Sequence, residues 1–416
     1  MKVAALPLFH RYGQTRSSHR LPDTAAAVGH AMHALPVLFA AAVSRHALMG
    51  LPALSADETG GLRRVDVNVW RNHALEPLLP ALEAYAAFGR WLPVWRFGPY
   101  DDSLSPMPAP AAAAELVWLD RSRVRLNGDA GGGFVDWLGM RLHALRAQSA
   151  SPIVLCTWAE GDTEARALAA LVAGVPGVHW ADMAAACAQA RTPLLDRRAA
   201  RLAGTPVSAS AQLLLARELG CRWLPGAALP PIKALALDLD HTLHAGVLGK
   251  DGACGVKLTP AHASLQRMLR SLRERGVLLA LVSRSELADV RALFEKRRDD
   301  PLRWDDFSVT EVSCGDRAGA IARIARQLRI APDAVLYVDT SPADLLAVAT
   351  GLPAVHRVPA ATDAELTGRA VAHYPGLWRW PVASSAAVPP DPVVDGARQA
   401  PPQRSLIEPG AAQVRA

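Results

Sequence analysis

Ala234-Leu-Ala-Leu-Asp-Leu-Asp-His-Thr242 decides how this chain is read. An apolar run delivers two carboxylates, Asp238 and Asp240, two residues apart. Side chains on a strand alternate with period two, so both acids point the same way. Where a strand of an open α/β sheet ends, the chain turns and such groups project into the crevice in which ligands collect. Two acids that close repel unless a cation lies between them. A hard ion such as Mg²⁺, held by few carboxylates together with phosphate oxygens, suits such a pair. One Asp is then free to attack phosphorus while the other gives and takes the proton. That chemistry is phosphoryl transfer through an aspartyl-phosphate.

Three downstream features agree. The strand pattern Val277–Val282 ends in Ser283-Arg284-Ser285, a hydroxyl placed to meet a phosphate oxygen. Arg317, in Gly315-Asp-Arg-Ala318, opens an amphipathic helix with Ile321, Ile324, Ala325 and Leu328 at helical spacing. It offers fixed positive charge to a developing phosphorane. The run Ala334–Val338 then ends in Asp339, and Asp344 follows five residues on as a further acid for the metal. Each polar group follows an apolar run and helices lie between the runs, the order that right-handed βαβ units produce. The fold class expected is therefore α/β, with two Rossmann-like parallel-sheet domains.

The series Asp238-x-Asp240-x-Thr242, Ser283, a basic residue and Asp339 resembles the haloacid dehalogenase (HAD) superfamily. More narrowly, Leu237-Asp-Leu-Asp-His-Thr-Leu-His-Ala-Gly-Val-Leu-Gly-Lys-Asp-Gly252 is similar to the LDLDNTLWGGVxGEDG text of the subfamily IIIC, FkbH-like group. Leu302-Arg-Trp-Asp-Asp-Phe307 and Leu336-Tyr-Val-Asp-Thr-Ser-Pro342 resemble its LRxDDF and FIDDNP segments. The likeness runs from about residue 61 to about residue 375 and is most specific in the second half.

The resemblance implies Asp238 as nucleophile, Asp240 as general acid/base, and Arg317 in the place of the family's usual Lys. It implies phosphate held by Thr242 and Ser283, with Arg284 and His241 at hand for substrate. Mg²⁺ would take the carboxylates of Asp238 and Asp339 and the backbone carbonyl of Asp240, with Asp344 as the compensating acid. FkbH-like proteins are implied to take a glyceryl unit from 1,3-bisphosphoglycerate, remove phosphate, and deliver the unit to an acyl carrier protein. Others of the group occur in polyketide or polysaccharide gene clusters. The implied partners are a small phosphorylated metabolite and a carrier protein.

The departures bear on the transfer step. Thr340 and Ser341 replace an Asp and an Asn, while His241 and His244 replace an Asn and a Trp. Val282 stands where many members have Cys, leaving Cys254 and Cys314, on loops expected near the site, as alternative acyl relays or as small buried thiols. Three readings stay open: a phosphatase with glyceryl transfer, a simple metabolite phosphatase, and a carrier-binding protein whose HAD site has drifted.

Composition fits a cytoplasmic enzyme. The 416 residues exceed one typical domain. Five scattered cysteines without CxxC spacing argue against a disulfide framework or a structural zinc. The net charge of +6 comes from dispersed Arg rather than a basic run, which argues against nucleic acid as partner and suits an anionic substrate. The Ala-rich stretch 25–43 contains His30, His33 and Pro36 and so does not read as a membrane span, but as a packing helix.

The expected organisation is an extension over 1–60, an α/β domain over 61–230, a HAD-like domain with a minimal cap over 231–380, and a disordered Pro/Ala-rich tail over 381–416. Strands are expected at 65–70, 91–95, 116–119, 153–157 and 177–180, with helices such as 78–88 and 165–173 between them. This first region resembles the SGNH-hydrolase-like part of FkbH-like proteins. The nucleophile position reads Trp70-Arg-Asn-His73 without Ser, and Asp196-Arg-Arg-Ala199 replaces the late Asp-x-x-His, so the resemblance implies a fold lacking the triad. Asn72 reads as a helix N-cap or a cleft residue, and Arg197, Arg198 and Arg201 as a carrier contact or a solvated face. Leu224–Pro231 reads as a stiff linker, and Gly246–Lys257 as a flap over the catalytic Asp.

Overall fold

Short apolar runs, each too brief to bury itself, pair into two sheets in a computed structural model that describes residues 10–12, 24–55, 59–124, 133–198, 200–313 and 315–381. The first sheet contains β1 (His10–Tyr12), β2 (Arg63–Arg71), β3 (Trp91–Tyr100), β4 (Ala114–Trp118), β5 (Ile153–Thr157) and β6 (Val178–Asp182). Its order is β1-β3-β2-β4-β5-β6, parallel throughout except for β1, which runs antiparallel along the outer edge of β3. The second contains β7 (Ala234–Asp238), β8 (Leu278–Ser283), β9 (Val309–Val312), β10 (Val335–Asp339) and β11 (His356–Pro359). It is wholly parallel, in the order β11-β10-β7-β8-β9. Crossovers between parallel strands need helices, which cover both faces and so select continuous apolar strands. β4, β5, β7 and β10 are accordingly buried along their whole length.

One apolar core runs through both sheets, from Val65 and Val67 of β2 to Leu235 and Leu237 of β7 and on to Tyr374. Smaller clusters fill the outer faces, around Leu138 and Leu155 in the first sheet and around Ile321 and Tyr337 in the second. The helix Thr24–Leu38, read from sequence as a packing element, buries Leu35 and Leu38 in the shared core, with Phe39 just beyond its end. Phe39 meets Tyr85 and Phe88 edge to face, with ring centroids 5.9 and 4.8 Å apart. No helix among the described residues is long and apolar enough to cross a membrane.

The expected linker Leu224–Pro231 is mostly something else. The helix Ala209–Glu218 continues through a π turn, Leu219–Trp223, into a further helix, Leu224–Ala228. Pro225 is the second residue of this last helix and has no N–H to give the preceding turn, where the Gly220 carbonyl accepts from Trp91 Nε1 at 3.0 Å. Trp223, Leu224 and Pro225 are buried, so the segment is part of the common core rather than a spacer. Gly220 is required at the π turn: a Cβ there would come within 2.9 Å of the Tyr85 Cβ and 3.1 Å of the Leu82 carbonyl. The region expected as a disordered tail lies outside the described residues from 382 onward.

Candidate active site

Strand order brings the acids together. β7 lies between β10 and β8, so Asp238 at its carboxyl end stands beside Asp339 at the end of β10 and Ser283 at the end of β8. No cap domain interrupts the chain between β7 and β8, only the short helix Leu248–Gly255 and the longer Pro260–Glu274. The longer helix starts as the sequence predicts: the Thr259 hydroxyl accepts from the His262 N–H, Pro260 is the first residue, and Leu265, Leu269 and Leu272 are buried.

Asp238 is 5% exposed and takes a hydrogen bond on Oδ1 from Arg317 Nη2 at 2.9 Å. Burial and then the charge of Asp339 push its carboxyl well above the usual carboxylate range, against the pull of Arg317. Asp339 accepts the Ser341 N–H on Oδ1 at 2.7 Å and the Tyr337 hydroxyl on Oδ2. Burial raises its pKa as well, with these donors opposing. Asp240 is only half-buried, and its Oδ1 accepts the Leu248 N–H at 2.9 Å. That donor belongs to the opening residue of the helix Leu248–Gly255, so the expected flap segment fixes the second carboxylate directly.

Thr242 is buried, and its hydroxyl has no partner among the described residues. A buried hydroxyl left without a hydrogen bond is unfavourable unless a ligand supplies one. Ser283 is also buried, and its Oγ accepts the Ser285 N–H at 3.2 Å. Arg317 follows the N-cap Asp316, whose carboxylate accepts from the N–H groups of Ala318 and Gly319. This capped start carries Arg317, 4% exposed, into the interior against Asp238, with Nε 3.5 Å from Asp344 Oδ2.

Two expectations change. Asp344, foreseen as a metal ligand, is occupied by guanidinium groups, Arg317 on Oδ2 and Arg284 on Oδ1. It lies in the first turn of the helix Pro342–Gly351, whose N-cap Ser341 accepts the Asp344 N–H, and the arginines reach it because they flank the same crevice. Arg284, foreseen on phosphate, is thereby joined to Asp344, with its side chain still 54% exposed. The two histidines also differ from each other. His241 is exposed and left-handed (φ 57°), its Nδ1 accepting the Gly246 N–H at 3.4 Å. His244 faces inward, with Nε2 2.7 Å from Asp300 Oδ2, both residues buried. His244 therefore anchors the loop through Asp300.

Sequence reading overlooked Tyr337, the Leu248 N–H and the His244–Asp300 anchor. The period of two along β10 carried a signal for the first, since residues 337 and 339 share a face. The others join chain positions that only the tertiary fold brings together.

The donor set suits one Mg²⁺. Among the described residues no three His, Cys, Asp or Glu side chains form a ready-made metal cage. Mg²⁺ needs none, since one or two carboxylates with water and substrate oxygens suffice. Asp238 and Asp339, both disfavoured as anions by burial, are the pair that such a cation would relieve. Cys254 is exposed, while Cys314 lies outside the described residues.

At the first sheet's corresponding edge, Arg71-Asn72-His73 is not a capped helix start. Asn72 clamps residue 120 instead, donating from Nδ2 to the Asp120 carbonyl at 2.9 Å and accepting the Asp120 N–H at 2.7 Å. His73 stacks on Trp118, with ring centroids 5.1 Å apart, and its Nδ1 lies 2.8 Å from the Thr205 hydroxyl. Burial, and next the charge of Arg123, lower its pKa to about 3, so it is neutral and serves packing. Arg197, Arg198 and Arg201 are exposed.

No protein-family model matches the chain, and no curated protein does. Among solved structures, the N-terminal part of the protein BF1531 from Bacteroides fragilis, described as containing a phosphatase domain complexed with Mg, is similar at 18% identity and a TM-score of 0.56. The match covers 78% of this chain and 96% of that one. A hypothetical protein, XCC2798 from Xanthomonas campestris, matches over 35% of this chain and 84% of its own at 18% identity, with a TM-score of 0.24 too low to carry an argument. The first likeness, together with the two largely parallel sheets, establishes an α/β architecture that shares the fold of that neighbour.

Proposed function

We propose that this chain is a Mg²⁺-dependent phosphohydrolase of the HAD type, of the FkbH-like kind, acting on a small phosphorylated three-carbon acid. The observation that carries this reading is the buried Asp238 carboxylate at a strand end, paired to Arg317 and adjoined by Asp339 and the unpartnered Thr242 hydroxyl. In the first step an Asp238 oxygen bonds to phosphorus as the leaving oxygen departs, taking its proton from Asp240. Water then attacks the same phosphorus and gives a proton to the Asp240 carboxylate, releasing phosphate and regenerating Asp238. Thr242 and Ser283 hold phosphoryl oxygens, and Arg317, bonded to Asp238, pulls that carboxyl back toward its ionised form. Mg²⁺, when bound, neutralises the phosphoryl oxygens and the Asp238–Asp339 pair.

The reading extends to delivery of the acyl unit to a carrier protein, in which a thiolate would attack the acyl carbon and expel the acyl phosphate as its leaving group, while Asp238 would act on the phosphate ester. Its support is the exposed Cys254 on the helix that fixes Asp240, and the first sheet would serve as an SGNH-like partner domain without a triad. Phosphate release is to be measured from 1,3-bisphosphoglycerate with Mg²⁺ or with EDTA, alongside the intact mass of a holo carrier protein. Mg²⁺-dependent release with a glyceryl gain on the carrier is expected. Release without the gain leaves a simple metabolite phosphatase, and no release from this or other small phosphates points to a drifted site.

Thr242→Val separates binding from folding. It should lower kcat/KM by roughly 10- to 100-fold, since one transition-state hydrogen bond is worth about that much. Thermal stability should hold or rise slightly, because the change removes a buried group that has no partner. A fall in stability with unchanged kinetics would remove Thr242 from the phosphate site.

A further inference from the structure

A cavity of about 500 Å³ lies away from the carboxylates, where the helices Thr24–Leu38 and Leu79–Phe88 and the start of β3 face the helix Pro342–Gly351 and β11. Junctions between sheet layers are favoured places for small-molecule sites, and this volume is of the usual size. Much of the wall is apolar, including Leu48, Ala84, Phe88 and Leu345. Set into it are three arginines, Arg64, Arg90 and Arg357.

Two of these guanidinium groups converge on one carbonyl. Arg90 Nη1 donates to the Val355 oxygen at 2.9 Å, and Arg357 Nη1 donates to the same oxygen at 2.7 Å. Arg90 reaches it from a left-handed residue (φ 59°) and also donates to the Pro353 carbonyl at 2.9 Å. Among the described residues none of the three arginines makes an ion pair. Glu83 also lines the cavity, but burial raises its pKa and so disfavours its anion. Burial, and next the charge of Arg90, lower the pKa of Arg357 to about 10. Two neighbouring cations without a carboxylate partner form a site that an external anion would relieve.

We propose that this cavity binds an amphipathic organic anion, its carboxylate or phosphate head held by Arg90 and Arg357 and its short aliphatic tail packed on Leu48, Phe88 and Leu345. Arg64, exposed, stands at the mouth and draws the head inward. Neither the phosphatase reading nor the structural neighbour calls for such a site.

Isothermal titration of the full chain with octanoate tests it, with 1-octanol as the neutral probe. Saturable binding at one site is expected, at least about tenfold weaker for the alcohol, the size of effect that loss of a charge-assisted contact brings. Arg357→Gln should weaken octanoate about tenfold, and Ala84→Phe, which fills the space, should abolish binding. Arg64→Gln lies on the surface, cannot disturb the core, and should weaken octanoate several-fold. Absence of binding at millimolar octanoate overturns the site, and equal affinity for octanol overturns the anionic head. Unchanged affinity in both Arg357→Gln and Ala84→Phe overturns the placement.

Discussion

Asp238→Asn is expected to abolish Mg²⁺-dependent phosphate release, lowering kcat by about 10³-fold or more, while raising the thermal midpoint of the protein in EDTA. The first effect follows from removing the proposed nucleophile, for which an amide oxygen is no substitute. The second follows from burial. The native carboxyl titrates well above its unfolded value because it is desolvated and faces Asp339. A raised native pKa means that the native state holds the proton more tightly. The stability this contributes is therefore complete below the unfolded pKa and is lost as pH rises through the native value. Ionising the group exposes the fold to that desolvation and to the charge of Asp339, and Asn removes both without changing shape while Arg317 keeps Asp344 as its partner. Added Mg²⁺ should stabilise the wild type more at pH 8 than at pH 5, and should stabilise the variant little at either pH. Thermal melts at the two pH values decide the matter; a variant less stable than wild type in EDTA contradicts this account of the carboxyl.

Arg317→Ala should have the other large effect, on stability as much as on rate. Its guanidinium is 4% exposed and joins Asp238 to Asp344. Removing one partner of a buried ion pair leaves uncompensated charge and typically costs about 3–5 kcal/mol. The rate should fall by about 10²- to 10³-fold through loss of a fixed charge at the reacting centre. Arg317→Lys restores the charge as a single point but cannot span both carboxylates. It should keep kcat within about tenfold of wild type while recovering only part of the stability. Denaturant unfolding read beside kcat separates the two contributions. An Arg317→Lys variant as inactive as Arg317→Ala would show that the fork geometry, rather than the charge, serves catalysis.

The candidate site was legible where chemistry and strand period coincide. Asp238, Asp240, Thr242, Ser283 and Asp339 each follow an apolar run, and a residue at the end of a buried parallel strand has few places to go other than the crevice. The helix start at Thr259-Pro260 was readable for a similar reason, since the cap is made from neighbouring residues alone. The pairing of Asp344 with Arg284 and Arg317 was not legible, because spacing shows how far an acid lies from Asp339, but not which cations the folded chain brings to it.

What the sequence by itself determined was the alternation of helix and strand, the α/β class and the acids at the strand ends, because these depend on local periodicity and on which groups can be buried. Tertiary structure alone decided the short strands β1, β9 and β11. Four residues as polar as Val309-Thr-Glu-Val312 or His356-Arg-Val-Pro359 extend only because a neighbouring strand offers its ladder. It also decided that Leu224–Ala228 is a buried helix, that His244 turns away to Asp300, and that Arg90 and Arg357 meet at one carbonyl. Each of these joins positions far apart in the chain, and their energies come from packing and desolvation that no window of sequence contains.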